Sequence, residues 1–172
     1  GRYLVGKTPD EVKKLSTDDH GKSTDADLLS ACTIAVDGYR DAVVRACESA
    51  ETLGAAQGDR AVLGAAVRSD TKDLAADDDH DVTAQVDLTV TALTLDADGR
   101  VTSALADMAE PALTVGADGT VSAPEVVKTK RELGDSYGMR GASSLNKEWY
   151  EHSEGWCGYL KGKTRAEVAG IP

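Results

Sequence analysis

The chain contains no phenylalanine, and only 4% of its 172 residues are aromatic. A large aromatic ligand cage is hard to build from so few rings, and Ala, Val and Leu are left to fill the interior. Cysteine is scarce too: Cys32, Cys47 and Cys157 form no close pair, so neither a zinc ribbon nor a Cys-x-x-Cys redox site is signalled. If Cys32 and Cys47 flank or share one helix, about 15 residues at ~1.5 Å rise hold them roughly 20 Å apart, which leaves Cys157 as the available bridging partner. Basic residues are in deficit, 19 against 30 acidic, for a formal charge of −11. Such a chain repels phosphate backbones, so nucleic acid is not an expected partner. No apolar run reaches 18 residues, and no basic-then-apolar leader occurs within the sequence. The parts of a hydrolase are missing as well. His20, His80 and His152 are scattered, with no Ser or Cys beside them in a nucleophile arrangement.

What the sequence does carry is a duplication. Tyr-Leu-x-Gly-Lys-Thr-x-x-Glu-Val occurs at residues 3 to 12 and again at 159 to 168. Thr8 reads as an N-cap, Pro9 as the first helical residue and Glu11 as the partner in a capping box, and Thr164 with Glu167 repeats that box. The first copy also satisfies the phosphate-loop pattern G-x-x-x-x-G-K-[ST]. A phosphate loop must follow a strand, and Cys157 stands where the second copy would need its first glycine, so the segment reads as a turn into a capped helix.

Between the copies the hydrophobic period changes twice. A short helix is expected over residues 9 to 15, then a polar surface connection over 16 to 27. From Ala35, Val36, Tyr39, Val43, Ala46, Cys47 and Ala50 recur at helical spacing, which predicts a helix burying that stripe, stopped by Gly54. Ala61 to Val67 reads as a strand. Val82 to Leu95 alternates through Val86, Leu88, Val90 and Ala92, the period of a strand packed on one face. Leu-Thr-aliphatic-x-Ala-Asp-Gly-x-Val appears at 93 to 101 and again at 113 to 121, and Asp-Gly between β-rich runs predicts hairpins. A short helix over 126 to 133 and a turn over 134 to 138 follow. Ser143 or Ser144 is then expected to cap a helix carrying Leu145, Trp149, His152, Trp156 and Leu160 on or near one face.

The predicted fold is α+β: an antiparallel meander of about four strands against flanking helices, with the duplicated helix entry. It is expected as a single domain, 1–172, made of a helical unit (1–54), a meander (61–123) and a second helical unit (126–172). The acidic run 77–81 offers oxygen ligands for calcium, or His80 with carboxylates for a transition metal. Charge runs are usually solvated, and Asp96-x-Asp98-Gly99 lacks the closing Glu of a calcium loop, so no metal site and no catalytic residue are predicted.

The string Asp27-Leu28-Leu29-Ser30-Ala31-Cys32-Thr33-Ile34 resembles the D-x-x-S-G-A-T-x-[TS] motif of bacterial FMN-binding domains, in which the threonine can carry FMN through a phosphoester. Asp27, Ser30 and Thr33 match, while Ala31 and Cys32 replace the Gly and Ala. The strings at 95 to 101, 128 to 139 and 147 to 151, with the repeated Gly-Lys-Thr segment, resemble an uncharacterised group of exported proteins, often lipoproteins, of Gram-positive anaerobes. The resemblance implies an extracytoplasmic, cell-surface or secreted location and envelope protein partners. It implies membrane contact only through a lipid anchor outside this chain. The likeness to FMN-binding domains implies FMN binding or electron transfer, with Asp27, Ser30 and Thr33 at the phosphate and Tyr137, Trp149 or Tyr150 over the ring. The alternative is a non-catalytic surface or interaction module without cofactor, in which Ser30 and Thr33 merely cap the following helix.

Overall fold

The computed structural model of the chain describes residues 2–72 and 80–172, with backbone alone for 70–72. The fold is α+β. The described residues group into two compact units, Gly1–Thr52 and Leu53–Pro172.

The first unit is helical. A 3-10 turn, Arg2–Leu4, leads through Gly6 to α1 (Pro9–Lys13), then α2 (Ala26–Leu29) and α3 (Asp37–Glu48). Thr8 caps α1 as expected: Glu11 N donates to its hydroxyl, while Thr8 N and Oγ1 donate to the Glu11 carboxylate at 2.7 and 2.8 Å. Val12 is thereby held in the interior, 2% exposed. The second helix overlaps the start of the string expected just before the long helix. Asp25 creates it by accepting from Asp27 N and Leu28 N, both at 3.0 Å.

The second unit is built on a five-stranded antiparallel sheet, with β1 (Arg60–Lys72), β2 (Val82–Leu95), β3 (Val101–Ala109), β4 (Ala112–Val115) and β5 (Val121–Ser122). The long β2 is the organiser. It pairs with β1 along one edge, and along the other with β3 over its second half and β4 over its first. Three helices follow: α4 (Lys130–Leu133), α5 (Trp149–Leu160) and α6 (Arg165–Ala169).

Both amphipathic expectations in this unit shift when the register is known. The buried residues of α5 are Ser153, Cys157 and Leu160, whereas Leu145 is 65% and Trp156 44% exposed. Small side chains let α5 lie close to β3, where Ala104 and Ala106 are buried and Ser153 Oγ donates to the Ala106 carbonyl at 2.8 Å. Leu93 is opposite Ala104 and packs on this same cluster. The even-numbered stripe of β2, expected to be the packed face, points the other way. There Leu63 opposite Ala92 and Val67 opposite Leu88 are among the exposed apolar residues.

The helix after Ser143 starts later than expected, at Trp149, because Glu148 takes over as its cap. Glu148 is 2% exposed and its carboxylate accepts from Met139 N (2.9 Å) and Arg140 N (3.0 Å). One buried carboxylate thus closes the whole turn 139–148 onto α5.

The second Gly-Lys-Thr copy is fastened to the sheet. Val101 N donates to Lys163 O at 2.9 Å, Gly162 N donates to Val101 O at 2.8 Å, and Arg100 Nη1 donates to Gly162 O at 2.9 Å. Leu160, Val168 and Ile171 are delivered by this joint to the cluster around Val101. All three cysteines are free. Among the described residues no helix is long and apolar enough to cross a membrane.

Candidate functional site

The expected site residues divide between the two units. In the first, Asp27 lies exposed in the opening turn of α2, and its carbonyl accepts from Ser30 Oγ at 2.8 Å. Ser30 is the C-cap of α2 rather than an N-cap of the next helix. Thr33 is exposed in the irregular link that follows. The residue before α3 is Val36, with no side-chain cap, so neither Ser30 nor Thr33 caps that helix. Asp37 instead places its own carboxylate at the first turn, accepting from Gly38 N at 2.9 Å. A carboxylate there complements the positive end of α3 and repels an incoming phosphate.

Apolar chemistry is better provided for. A cavity of about 560 Å³ opens within this unit, in the size range of small-molecule and side-chain pockets. Leu28, Cys32 and Ile34 of the string form part of its wall, Val36, Tyr39, Val43 and Ala46 another, and Tyr3, Leu4 and Leu15 a third. The helical stripe expected to be buried is therefore largely the wall of an open groove, with Tyr39 67% exposed, while the buried residue of α3 is Val44. Arg40 is the cation at the groove, and its Nη1 is occupied by the Leu15 carbonyl at 3.1 Å. A hydrogen bond to Asp25, then burial, raises the Tyr3 hydroxyl above the ordinary tyrosine range, so the phenol stays protonated.

The three aromatic residues belong to the second unit. Tyr137 and Trp149 both face one cation, the Lys130 ammonium, at 4.7 and 5.5 Å from their ring centres. Lys130 is 7% exposed and paired with Glu110 at 2.6 Å. Burial opposes its charge, but hydrogen bonds to Glu110 and Tyr137 outweigh burial and hold its pKa above the usual lysine value. Tyr150 turns elsewhere, its hydroxyl donating to Asp135 at 3.2 Å. These rings hold a structural cation and a surface carboxylate.

A pairing invisible to spacing is that of Ser143 Oγ with His152 Nε2, 2.9 Å apart. The same oxygen accepts from Leu145 N at 3.2 Å, so Ser143 secures the turn to α5. Of the acidic run, Asp77, Asp78 and Asp79 lie outside the described residues. Among the described residues no group of three or more His, Cys, Asp or Glu side chains is placed to hold a metal ion.

A short likeness to a named protein was found. The chlorophenol reductase of Desulfitobacterium hafniense is 49% identical over 41 residues, which are 24% of this chain and 12% of that protein. The chain thus spans about an eighth of the length of the curated relative it matches. No protein-family model matches the chain, and no solved structure matches it.

Proposed function

We propose that this chain is a non-catalytic binding module of the cell envelope, in which the apolar groove of the first unit takes its partner. The observation carrying this reading is that the amphipathic face of α3, with Leu4, Leu15, Leu28 and Ile34, lines an open cavity. Apolar surface left open in this way favours association with another apolar surface. The stretch of 41 residues that is similar to a much longer reductase is shorter than an ordinary catalytic domain. The envelope location in this reading rests on the resemblance to exported proteins.

A second reading is FMN binding, favoured by the exposed Thr33 hydroxyl and by Leu28, Cys32 and Ile34 in the cavity wall. Under it the isoalloxazine enters the groove and the phosphate meets Ser30 and Thr33. The name of the reductase sits well with such redox chemistry. The carboxylates Asp25, Asp27 and Asp37 on the same segment disfavour a phosphate there and place this reading second.

Titration with the apolar dye anilinonaphthalene sulfonate tests the first reading. Saturable enhancement with one dye per chain, lost in Tyr39→Asp, is expected, and its absence at low protein concentration would sink the reading. Titration with FMN in the same cuvette, before and after Thr33→Ala, tests the second. Flavin quenching that depends on Thr33 would promote it, and no quenching at high micromolar FMN removes it.

A further inference from the structure

The chain contains two Asp-Gly hairpins and two Gly-Lys-Thr segments, and one of each is joined. The first hairpin ends at Val101, whose amide and carbonyl bond to Lys163 and Gly162, setting its side chain among Leu160, Val168 and Ile171. The first Gly-Lys-Thr segment repeats the turn and the three aliphatic positions of that receptor. Gly6 and Lys7 take the places of Gly162 and Lys163, and Leu4, Val12 and Leu15 those of Leu160, Val168 and Ile171. The local geometry repeats as well. Lys7 N donates to Leu4 O at 3.1 Å and Lys163 N to Leu160 O at 3.1 Å. The glycine φ is 85° in one copy and 78° in the other, a left-handed turn that favours glycine. Lys7 lies 4.6 Å from the Tyr3 ring centre, and Lys163 4.1 Å from that of Tyr159.

The difference is what fills the receptor. Val12 is covered within its own unit, but Leu4 and Leu15 line the open groove, and among the described residues no backbone group bonds to the Gly6 amide or the Lys7 carbonyl. The second hairpin is the matching unused part. Gly116 N donates to Thr120 O at 2.9 Å, as Asp96 N does to Arg100 O at 3.0 Å, and Gly119 N to Gly116 O at 2.9 Å, as Gly99 N does to Asp96 O at 3.1 Å. It ends at Val121, the counterpart of Val101, which is 61% exposed on β5, at the end of the sheet path.

We infer that the Val115–Val121 hairpin of a second copy docks on Gly6–Lys7, seating Val121 between Leu4 and Leu15. This rests on the groove-binding reading and names its partner. The joint at Val101 is the template: two backbone hydrogen bonds and one apolar side chain in a pocket. Among the described residues each chain carries one exposed hairpin edge at Val121 and one open groove at Leu4 and Leu15, so two chains exchanging them across a two-fold axis satisfy both and close the assembly. Thr120 replaces Arg100, so the second joint lacks the contact that Arg100 makes with Glu167 at 3.8 Å. It is accordingly the weaker of the two. The net charge of −11 on each copy opposes pairing, so screening by salt strengthens it.

Sedimentation velocity of the full chain, from low to high micromolar and at two salt concentrations, tests the inference. A reversible monomer–dimer equilibrium that tightens with salt is expected. Val121→Asp and Tyr39→Asp, both at exposed positions, should each weaken it by about tenfold or more, since each sets a charge in the apolar joint. Mixing these two variants should restore a heterodimer, because one joint pairs an intact hairpin with an intact receptor. Val126→Asp, exposed but outside the hairpin, should leave it unchanged. Circular dichroism confirms that each variant is folded. A wild-type chain that stays monomeric, or a dimer indifferent to Val121→Asp, overturns the inference. If the dye still binds the monomer, the groove-binding reading survives that failure; if it does not, both fall.

Discussion

Deleting the same side chain from the two copies of one sequence gives the sharpest test of how the copies differ. Leu4 and Leu160 occupy equivalent positions, yet Leu160 is 4% exposed within the cluster of Val101, Ala104, Ala106 and Cys157, whereas Leu4 lines the open groove. Leu160→Ala removes the largest buried side chain of that cluster. Its transfer term is about 2 kcal/mol, and the sheet backbone and small neighbours beside it leave little that can collapse into the hole. A total of about 3–4 kcal/mol follows, within the range for buried leucine deletions. Leu4→Ala creates no new cavity, since one side already faces open space, and should cost about 1 kcal/mol or less. Urea unfolding followed by Trp fluorescence reports the second unit, which contains both Trp149 and Trp156. Circular dichroism, at concentrations too low for pairing, follows the helices of both units. Leu160→Ala should lower the urea midpoint by roughly 1–4 M for m values of about 1–3 kcal/mol/M. Equal losses at the two positions, or a loss below about 1 kcal/mol at Leu160, would refute the claim that Leu160 is built into a core and Leu4 is not.

Two further outcomes follow from the electrostatics. Glu110→Gln leaves Lys130 buried between Tyr137 and Trp149 without its carboxylate; a loss of about 1.5–3 kcal/mol in urea unfolding is expected, while a loss under about 0.5 kcal/mol would mark the pair as an ordinary surface contact. Glu11 and Glu167 are held below the ordinary glutamate range, first by the Thr8 and Thr164 amides and then by their hydroxyls. Their contribution is therefore complete above the unfolded value of about 4.3 and fades as pH falls through the lower folded values. Melting temperature followed down through that window should drop, and Glu167→Gln should flatten the drop; an unchanged profile would show that the box contributes nothing through its charge.

Local chemistry was legible from the residues alone. The capping boxes at Thr8 and Thr164 follow from three side chains within four positions, and β2 runs Val82–Leu95 as its alternation implies. The Asp-Gly hairpins were equally local, needing only a turn residue between β-rich runs. The helix after Ser143 was misplaced because its cap depends on Glu148, whose carboxylate is chosen by amides eight and nine residues upstream. The flavin string gave a motif match, but Ser30 closes α2 and Asp37 opens α3, and neither role can be read from the spacing of Asp27, Ser30 and Thr33.

The sequence by itself determined that the chain is α+β, that it enters two helices through the same ten-residue segment, and that it turns twice through the same Asp-Gly hairpin. Each of these rests on interactions within a few residues, which the order of side chains specifies directly. Tertiary structure alone decided which apolar faces are covered. The stripe of α3 became a groove wall, the even face of β2 lies open, and Ser153, Cys157 and Leu160 became the packed face of α5. Periodicity says that a face is apolar; only the long-range pairing of Val101 with Gly162 and Lys163 says which copy of the duplicated segment is joined to a strand.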